Sequence, residues 1–99
     1  MSSLAVTALS GLQAAQAQLQ TSANNVANSQ TEGYRREVVR QQAQADGGVS
    51  VRVEKLPEPG SDLAADLVGQ KMASYAFQAN LKVLKTADTL AGSILDTLA

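Results

Sequence analysis

Two groups of residues in this 99-residue chain have the types and spacing to do chemistry. Asp62 and Asp66 lie four apart, which puts both carboxylates on one face of a helix, the raw material of general acid/base work. Asn24, Asn25 and Asn28, followed by Thr31, Gly33 and Tyr34, form a run of amides, hydroxyls and one turn-forming glycine. The carboxylates are accounted for more simply, because acidic side chains suit the positive end of the helix that begins there. The chain has no histidine and no cysteine. Disulfides and thiolate metal sites are therefore excluded, and the usual neutral-pH acid/base and the commonest metal ligand are missing. No glycine-rich loop joins a strand to a helix, and no oxygen cluster has the spacing of a calcium loop. No catalytic residue, metal ligand or cofactor is expected, and the protein is not expected to be an enzyme. What remains is the hydrogen-bonding capacity of the asparagine run.

The element that carries this run is a helix expected from Ser3 to about Asn28, with Ser2 or Ser3 as its N-cap. Ala5, Ala8, Leu12, Ala15, Leu19, Ser22 and Val26 alternate spacings of three and four, the rhythm of a helix–helix seam. Leu4, Leu9 and Ala23 widen the stripe on one flank. No charged side chain occurs from Met1 to Thr31, and the outer face is Ser, Thr, Gln and Asn. Ordinary solvent faces carry Lys and Glu, so this helix reads as one surrounded by protein, where uncharged amides and hydroxyls bridge neighbours. At the helix end, Asn25 or Asn28 can take a left-handed capping conformation or bond the terminal carbonyls. Thr31 and Gly33 are turn residues, Gly33 permits positive φ, and Tyr34 is the first large side chain beyond the turn.

Residues Tyr34 to about Gln44 form a strand-like segment around Val38 and Val39. Asp46-Gly47-Gly48 signals a turn, and Val49, Val51 and Val53 alternate with polar residues as in a half-buried strand. Together they predict a β-hairpin, which two strands alone do not stabilise and which must pack on a helix or another subunit. Arg35, Arg36 and Arg40 lie among Glu32, Glu37 and Glu54 without interleaved aromatics, so an interfacial strand is favoured and no nucleic-acid partner is expected. Leu56-Pro57-Glu58-Pro59-Gly60 breaks the chain, and Ser61 or Asp62 caps a second helix from Leu63 to about Leu98. Its apolar positions run Met72, Ala76, Ala79, Val83, Ala87, Leu90 and Ile94, again close to a heptad. Lys71, Lys82, Lys85 and Asp88 mark its outer face, and Tyr75 and Phe77 leave the seam. The fold class is mainly α: long N- and C-terminal helices paired as an antiparallel coiled coil, with a small β-hairpin between them.

Composition bounds the rest. The apolar fraction of 44% rests largely on alanine, and Tyr34, Tyr75 and Phe77 are the only aromatic residues. Alanine adds little buried area but lets helices approach closely, so an elongated object is expected whose apolar faces are completed by other chains. The net charge of −1 gives no field that selects nucleic acid or anionic membrane. No cleaved secretory signal is expected at the N-terminus, and no apolar run is long enough to insert in a bilayer.

Ser10-Gly11-Leu12-Gln13-Ala14-Ala15-Gln16, then Ala23-Asn24-Asn25-Val26-Ala27-Asn28, then Thr31-Glu32-Gly33-Tyr34-Arg35-Arg36 resembles the N-terminal signature of bacterial flagellar rod and hook proteins. Asp62-Leu63-Ala64, Met72, Tyr75, Ala79-Asn80, Lys82-Val83 and Thr86-Ala87-Asp88 are similar to the C-terminal signature of the same family. The resemblance implies an axial component of the flagellum, most like a short proximal-rod protein of the FlgB and FlgC type. It implies residues 1–30 as an N-terminal axial helix, 31–60 as hinge and hairpin, and 61–99 as a C-terminal axial helix within one structural domain. It implies a periplasm-spanning basal-body location, export through the flagellar type III apparatus without a cleaved signal, and other rod or hook subunits and further copies of itself as partners. By the same resemblance, Asn24, Asn25, Asn28, Thr31, Gly33 and Tyr34 form the junction between helix and outer segment. The chain departs from larger members in having only about thirty residues between the two signatures. A second reading is a soluble helical-hairpin chaperone or adaptor that binds a partner helix.

Overall fold

The computed structural model describes residues 3 to 98, with the backbone alone for residue 98. Four elements follow in order: α1 (Ser3–Ala27), β1 (Glu37–Ala43), β2 (Val49–Lys55) and α2 (Leu63–Leu98). Ser3 is already helical, and Ser2, the other N-cap candidate, lies outside the described residues. The two helices pack along each other, and the strands form an antiparallel hairpin in which Val39 pairs with Val53 and Arg40 with Arg52. The body measures 62 × 24 × 13 Å, an elongated shape set by helices of roughly 37 and 54 Å.

Each boundary has a local cause. Asp62 accepts a hydrogen bond on Oδ1 from the Ala65 N–H at 3.1 Å and so caps α2. At the end of α1, Asn28 does not take the left-handed conformation, since no non-glycine residue among those described has positive φ. Its Nδ2 instead donates to the Asn24 carbonyl at 2.9 Å, and its Oδ1 accepts from the Thr31 hydroxyl at 3.2 Å. Gly33, at φ 77°, then reverses the chain toward Tyr34. The segment after β2 returns alongside the one before β1: the Leu56 N–H donates to the Arg36 carbonyl and the Gly60 N–H to the Tyr34 carbonyl.

The helices meet through small residues. Ala5, Ala8, Leu12, Ala14 and Ala15 of α1 and Ala73 and Ala87 of α2 are buried, and Ser22 is fully buried. Facing pairs are Gly11 with Asn80, Ser22 with Gly69, and Asn25 with Asp66, which makes the packing antiparallel. On α1, Ala5, Ala8, Leu12, Ala15 and Ser22 are buried and Leu19 and Val26 half-buried, whereas Leu4, Leu9 and Ala23 face outward.

On α2 the contact stripe is rotated by one residue from the apolar pattern. Asp66, Ala73 and Ala87 are buried, and Gln70, Phe77, Asn80 and Leu84 are half-buried at the same heptad spacing. Met72, Val83, Leu90 and Ile94 are exposed by 39–65%, and Ala76 and Ala79 are exposed as well. Phe77 therefore belongs to the inner stripe, while Tyr75 faces out with the Lys71 ammonium 5.7 Å from its ring centroid. The reason is steric. An alanine-rich α1 is approached most closely where α2 presents small side chains, at Ala73 and Ala87, while Met72, Leu90 and Ile94 turn away from it.

Gly11 marks the tightest approach. A Cβ there would clash with the Asn80 amide, while Asn80 is held by a 2.8 Å hydrogen bond to the Ala76 carbonyl. Gly11→Ala alone is therefore expected to gain none of the roughly 1 kcal/mol of helix propensity that alanine offers. The double variant Gly11→Ala/Asn80→Ala is expected to recover about that amount relative to Gly11→Ala in urea unfolding. Equal stabilities of the two variants would show that Asn80 does not limit the approach.

The hairpin lies on α1 and makes no comparable contact with α2. The Ser10 hydroxyl anchors its far end, accepting from the Val49 N–H at 3.1 Å and donating to the Thr7 carbonyl at 2.8 Å.

Candidate functional site

The asparagine run at the end of α1 gathers the other elements around it. Asn25 lies in the last turns of α1 on the face turned toward both the hairpin and α2, and it is 2% exposed. Its side-chain amide is fully used. Oδ1 accepts from the Glu37 N–H at 2.9 Å and from the Tyr34 hydroxyl at 3.1 Å. Nδ2 donates to the Glu37 carbonyl at 2.8 Å and to Asp66 Oδ1 at 3.1 Å. The amide thus pairs with both backbone groups of Glu37, as a neighbouring strand would, while also reaching α2. Two acceptor and two donor positions are all that an asparagine side chain has.

Asn24, one position before it, faces outward but serves the same joint. Its Nδ2 donates to Glu37 Oε1 at 2.6 Å and to the Tyr34 hydroxyl at 3.0 Å, and its Oδ1 accepts from Asn28 at 3.2 Å. Asn24, Asn25, Asn28, Thr31 and Tyr34 therefore form one connected network, with Gly33 supplying the turn between its two halves. Burial and the neighbouring Glu37 carboxylate hold the Tyr34 phenol above its ordinary pKa of 10.0, so it remains a neutral hydroxyl that both donates and accepts.

The network ends on an ion pair. Asp66, 4% exposed in the first turn of α2, accepts from Arg36 Nε at 3.0 Å on one oxygen and from Arg36 Nη2 at 2.5 Å on the other. Hydrogen bonding to Asp66 raises the Arg36 pKa, outweighing the opposing effect of burial. This bidentate pair fixes the start of β1 to the start of α2, and Asn25 fixes both to α1. No buried side-chain nitrogen or oxygen among the described residues lacks a hydrogen-bond partner here. The hinge motif identifies Asn24, Asn25, Asn28, Thr31, Gly33 and Tyr34, but misses Arg36, Glu37 and Asp66. One signal was available for Asp66. It is the sole charge in a run of Leu63, Ala64, Ala65, Leu67 and Val68, in heptad phase with Ala73, Asn80 and Ala87, where a carboxylate needs a partner.

On the outer face of the hairpin, Arg40 and Arg52 sit directly opposite each other. Glu54 separates them, bonded to Arg40 Nε at 3.2 Å and to Arg52 Nη2 at 2.5 Å. The hydrogen bond from Arg40 and the charge of Arg52 lower the Glu54 pKa. A depressed carboxylate pKa gives stabilisation that is present above the ordinary Glu range and is lost as pH falls through the lowered value. Acidification is accordingly expected to release Glu54 and leave the two guanidiniums unscreened. A carboxyl-carbon NMR titration should place the Glu54 midpoint below the ordinary glutamate value, and a midpoint at that value would refute the bridge.

The joint holds no metal-binding constellation: no group of three or more His, Cys, Asp or Glu that could hold a metal ion occurs among the described residues. No helix among them is long and apolar enough to cross a membrane. The arrangement is mechanical, a clamp that sets the direction of the hairpin relative to two helices. No curated protein matches the chain. Residues 6–35 do match the family model of the flagella basal body rod protein, a segment that runs from the first turn of α1 through the asparagine network to Tyr34 and Arg35. The likeness to the flagella basal body rod protein family is thus carried by α1 and the joint, about a third of the chain.

Proposed function

We propose that this protein is a structural subunit of the flagellar basal-body rod, assembling through its terminal helices into the axial tube that transmits torque from motor to hook. The observation that carries this reading is the coincidence of the family segment with the mechanical joint. The matched residues 6–35 include the whole of the Asn24–Tyr34 clamp, so the motif fixes the angle at which the hairpin leaves the helices. The apolar surface supports it too. Among the described residues the buried apolar set is one leucine and six alanines, while Leu63, Leu67, Val68, Met72, Leu90 and Ile94 stand exposed along α2. Contiguous apolar surface of this kind on a helix is completed by protein. The uncharged outer face of α1, with Gln13, Gln16 and Gln20 exposed, suits lateral contact with neighbouring subunits without desolvating charge.

In this reading the chain is exported through the flagellar type III apparatus without a cleaved signal, and its partners are other rod or hook subunits and copies of itself. The test is location in motile cells. The tagged chain is expected in purified basal bodies, with its appearance there dependent on the flagellar export gate. Retention in the cytoplasm of motile cells would overturn the proposal and favour the chaperone or adaptor reading.

A further inference from the structure

Asp46-Gly47 is the one place in the chain where an aspartate or asparagine precedes a glycine. The pair lies in the turn between β1 and β2, and both residues are exposed. The backbone nitrogen that follows Asp46 therefore belongs to a residue with no side chain to shield it, and Gly47 stands at φ 102°. One turn bond holds that nitrogen, from the Gly47 N–H to the Gln44 carbonyl at 3.2 Å. Exposed turns open locally at little cost in free energy, so this bond delays attack by the nitrogen without preventing it. The other aspartates, Asp62, Asp66, Asp88 and Asp96, lie at the start of α2 or within it and precede leucine or threonine. The asparagines precede Asn, Val, Ser or Leu, and their side-chain amides are spent in hydrogen bonds.

We infer that Asp46 is a site of spontaneous isomerisation, at which the main chain is rerouted through the side chain, and that the change releases the far end of the hairpin from α1. The Gly47 nitrogen attacks Asp46 Cγ. A new C–N bond closes a succinimide ring, and the amide proton leaves with the carboxyl hydroxyl as water. Water then adds back to the ring. Opening at the main-chain carbonyl leaves the isoaspartyl linkage, and opening at Cγ restores aspartate. Nothing is oxidised or reduced, and the net mass is unchanged.

The isoaspartyl chain is longer by one methylene. That insertion falls inside the turn closed by the Gln44 N–H on the Gly48 carbonyl at 3.0 Å, and Val49, held by Ser10, follows directly. The turn has no room to move toward α1, since a Cβ on Gly48 would stand 2.6 Å from Ser10 Oγ. It moves outward instead, and the Val49 N–H leaves the Ser10 hydroxyl. The Asn25 clamp on Glu37 sits at the other end of the hairpin and keeps its bonds.

Trypsin cleaves after Arg40 and Arg52, so the fragment Gln41–Arg52 carries Asp46 as its sole acidic side chain. In full-length protein aged warm at neutral pH, this fragment is expected to split into two species of equal mass. One of them should resist a protease that cuts before aspartate, and a minor form lighter by one water should mark the succinimide. Asp46→Glu, which keeps the charge but would need a larger ring, is expected to lose the splitting. Asp46→Asn is expected to speed it, with ammonia leaving in place of water. The fragment that carries Asp88 and Asp96 is the internal control and should stay single. In the aged protein the Val49 amide is expected to lose its exchange protection while the Glu37 amide keeps its own. An unsplit Gln41–Arg52 fragment, or one that splits no faster than the control, overturns the site. Splitting with unchanged Val49 protection overturns the release of the hairpin. Both readouts use the isolated chain, so neither depends on the proposed rod function.

Discussion

Asn25→Ala is expected to destabilise the protein by about 3 kcal/mol, out of proportion to the three heavy atoms removed. The substitution does not harm the helix, since alanine is the better helix former. The loss comes from what the amide leaves behind. The Glu37 N–H and carbonyl lose their only cross-element partner at this point, the Tyr34 hydroxyl loses its nearer acceptor, and Asp66 loses one of its donors. Buried polar groups left unpaired cost about 1–3 kcal/mol each, and partial access of water to Tyr34 and Glu37 moderates the sum. Urea unfolding followed by circular dichroism should show a lower midpoint at unchanged slope. Native-state hydrogen exchange should show the Glu37 amide released, while amides in the middle of α1 stay protected. A cost below about 1 kcal/mol would mean that the joint is wet and the amide is not its anchor. Asn25→Asp is the sharper comparison. It keeps the acceptors, loses both donors and sets a carboxylate beside Asp66, so it should be no better tolerated than alanine.

The position of this joint was legible in the sequence, but its wiring was not. Helix limits, hairpin turn and the Asp62 cap follow from local rules, because each depends on residues within four positions of one another. The Asn28 cap is local in the same way. Asn25 bonds residues 12 and 41 positions away, and Arg36 reaches Asp66 across 30. Periodicity cannot express such pairings. It states that a polar group lies on an inner face, not which distant group satisfies it.

The register of α2 was hidden for a different reason. Two stripes one residue apart both have heptad spacing, one carrying Met72, Val83, Leu90 and Ile94, the other Ala73, Phe77, Leu84 and Ala87. Hydrophobicity favours the first because its side chains are larger. Close packing on the alanines of α1 selects the second, and that preference depends on the partner's surface rather than on α2 itself. The larger side chains are thereby left exposed on the outer face of α2.

Arg36→Met should be the costliest single change at the joint, about 3–4 kcal/mol. It is chosen over the reverse substitution because burial of the partners is unequal. The Asp66 side chain is 5% accessible and that of Arg36 17%, so removing Arg36 strands the more deeply buried charge. The single donor left to Asp66 is Asn25 Nδ2, a neutral amide that cannot offset the desolvation of a carboxylate. Asp66→Asn should cost less, because the stranded guanidinium has a path to solvent and the new amide can still accept from Asn25. The double variant Arg36→Met/Asp66→Asn removes both charges and should be more stable than Arg36→Met alone by at least about 1 kcal/mol. That inequality separates two accounts of the pair. If Arg36 mainly packs, the two losses add and the double variant is the worse. If it neutralises Asp66, the second substitution relieves the first. Urea midpoints for the four proteins in this cycle decide between them, and, on the proposed rod function, motility of the double variant tests whether that function needs the charge or only the angle it holds.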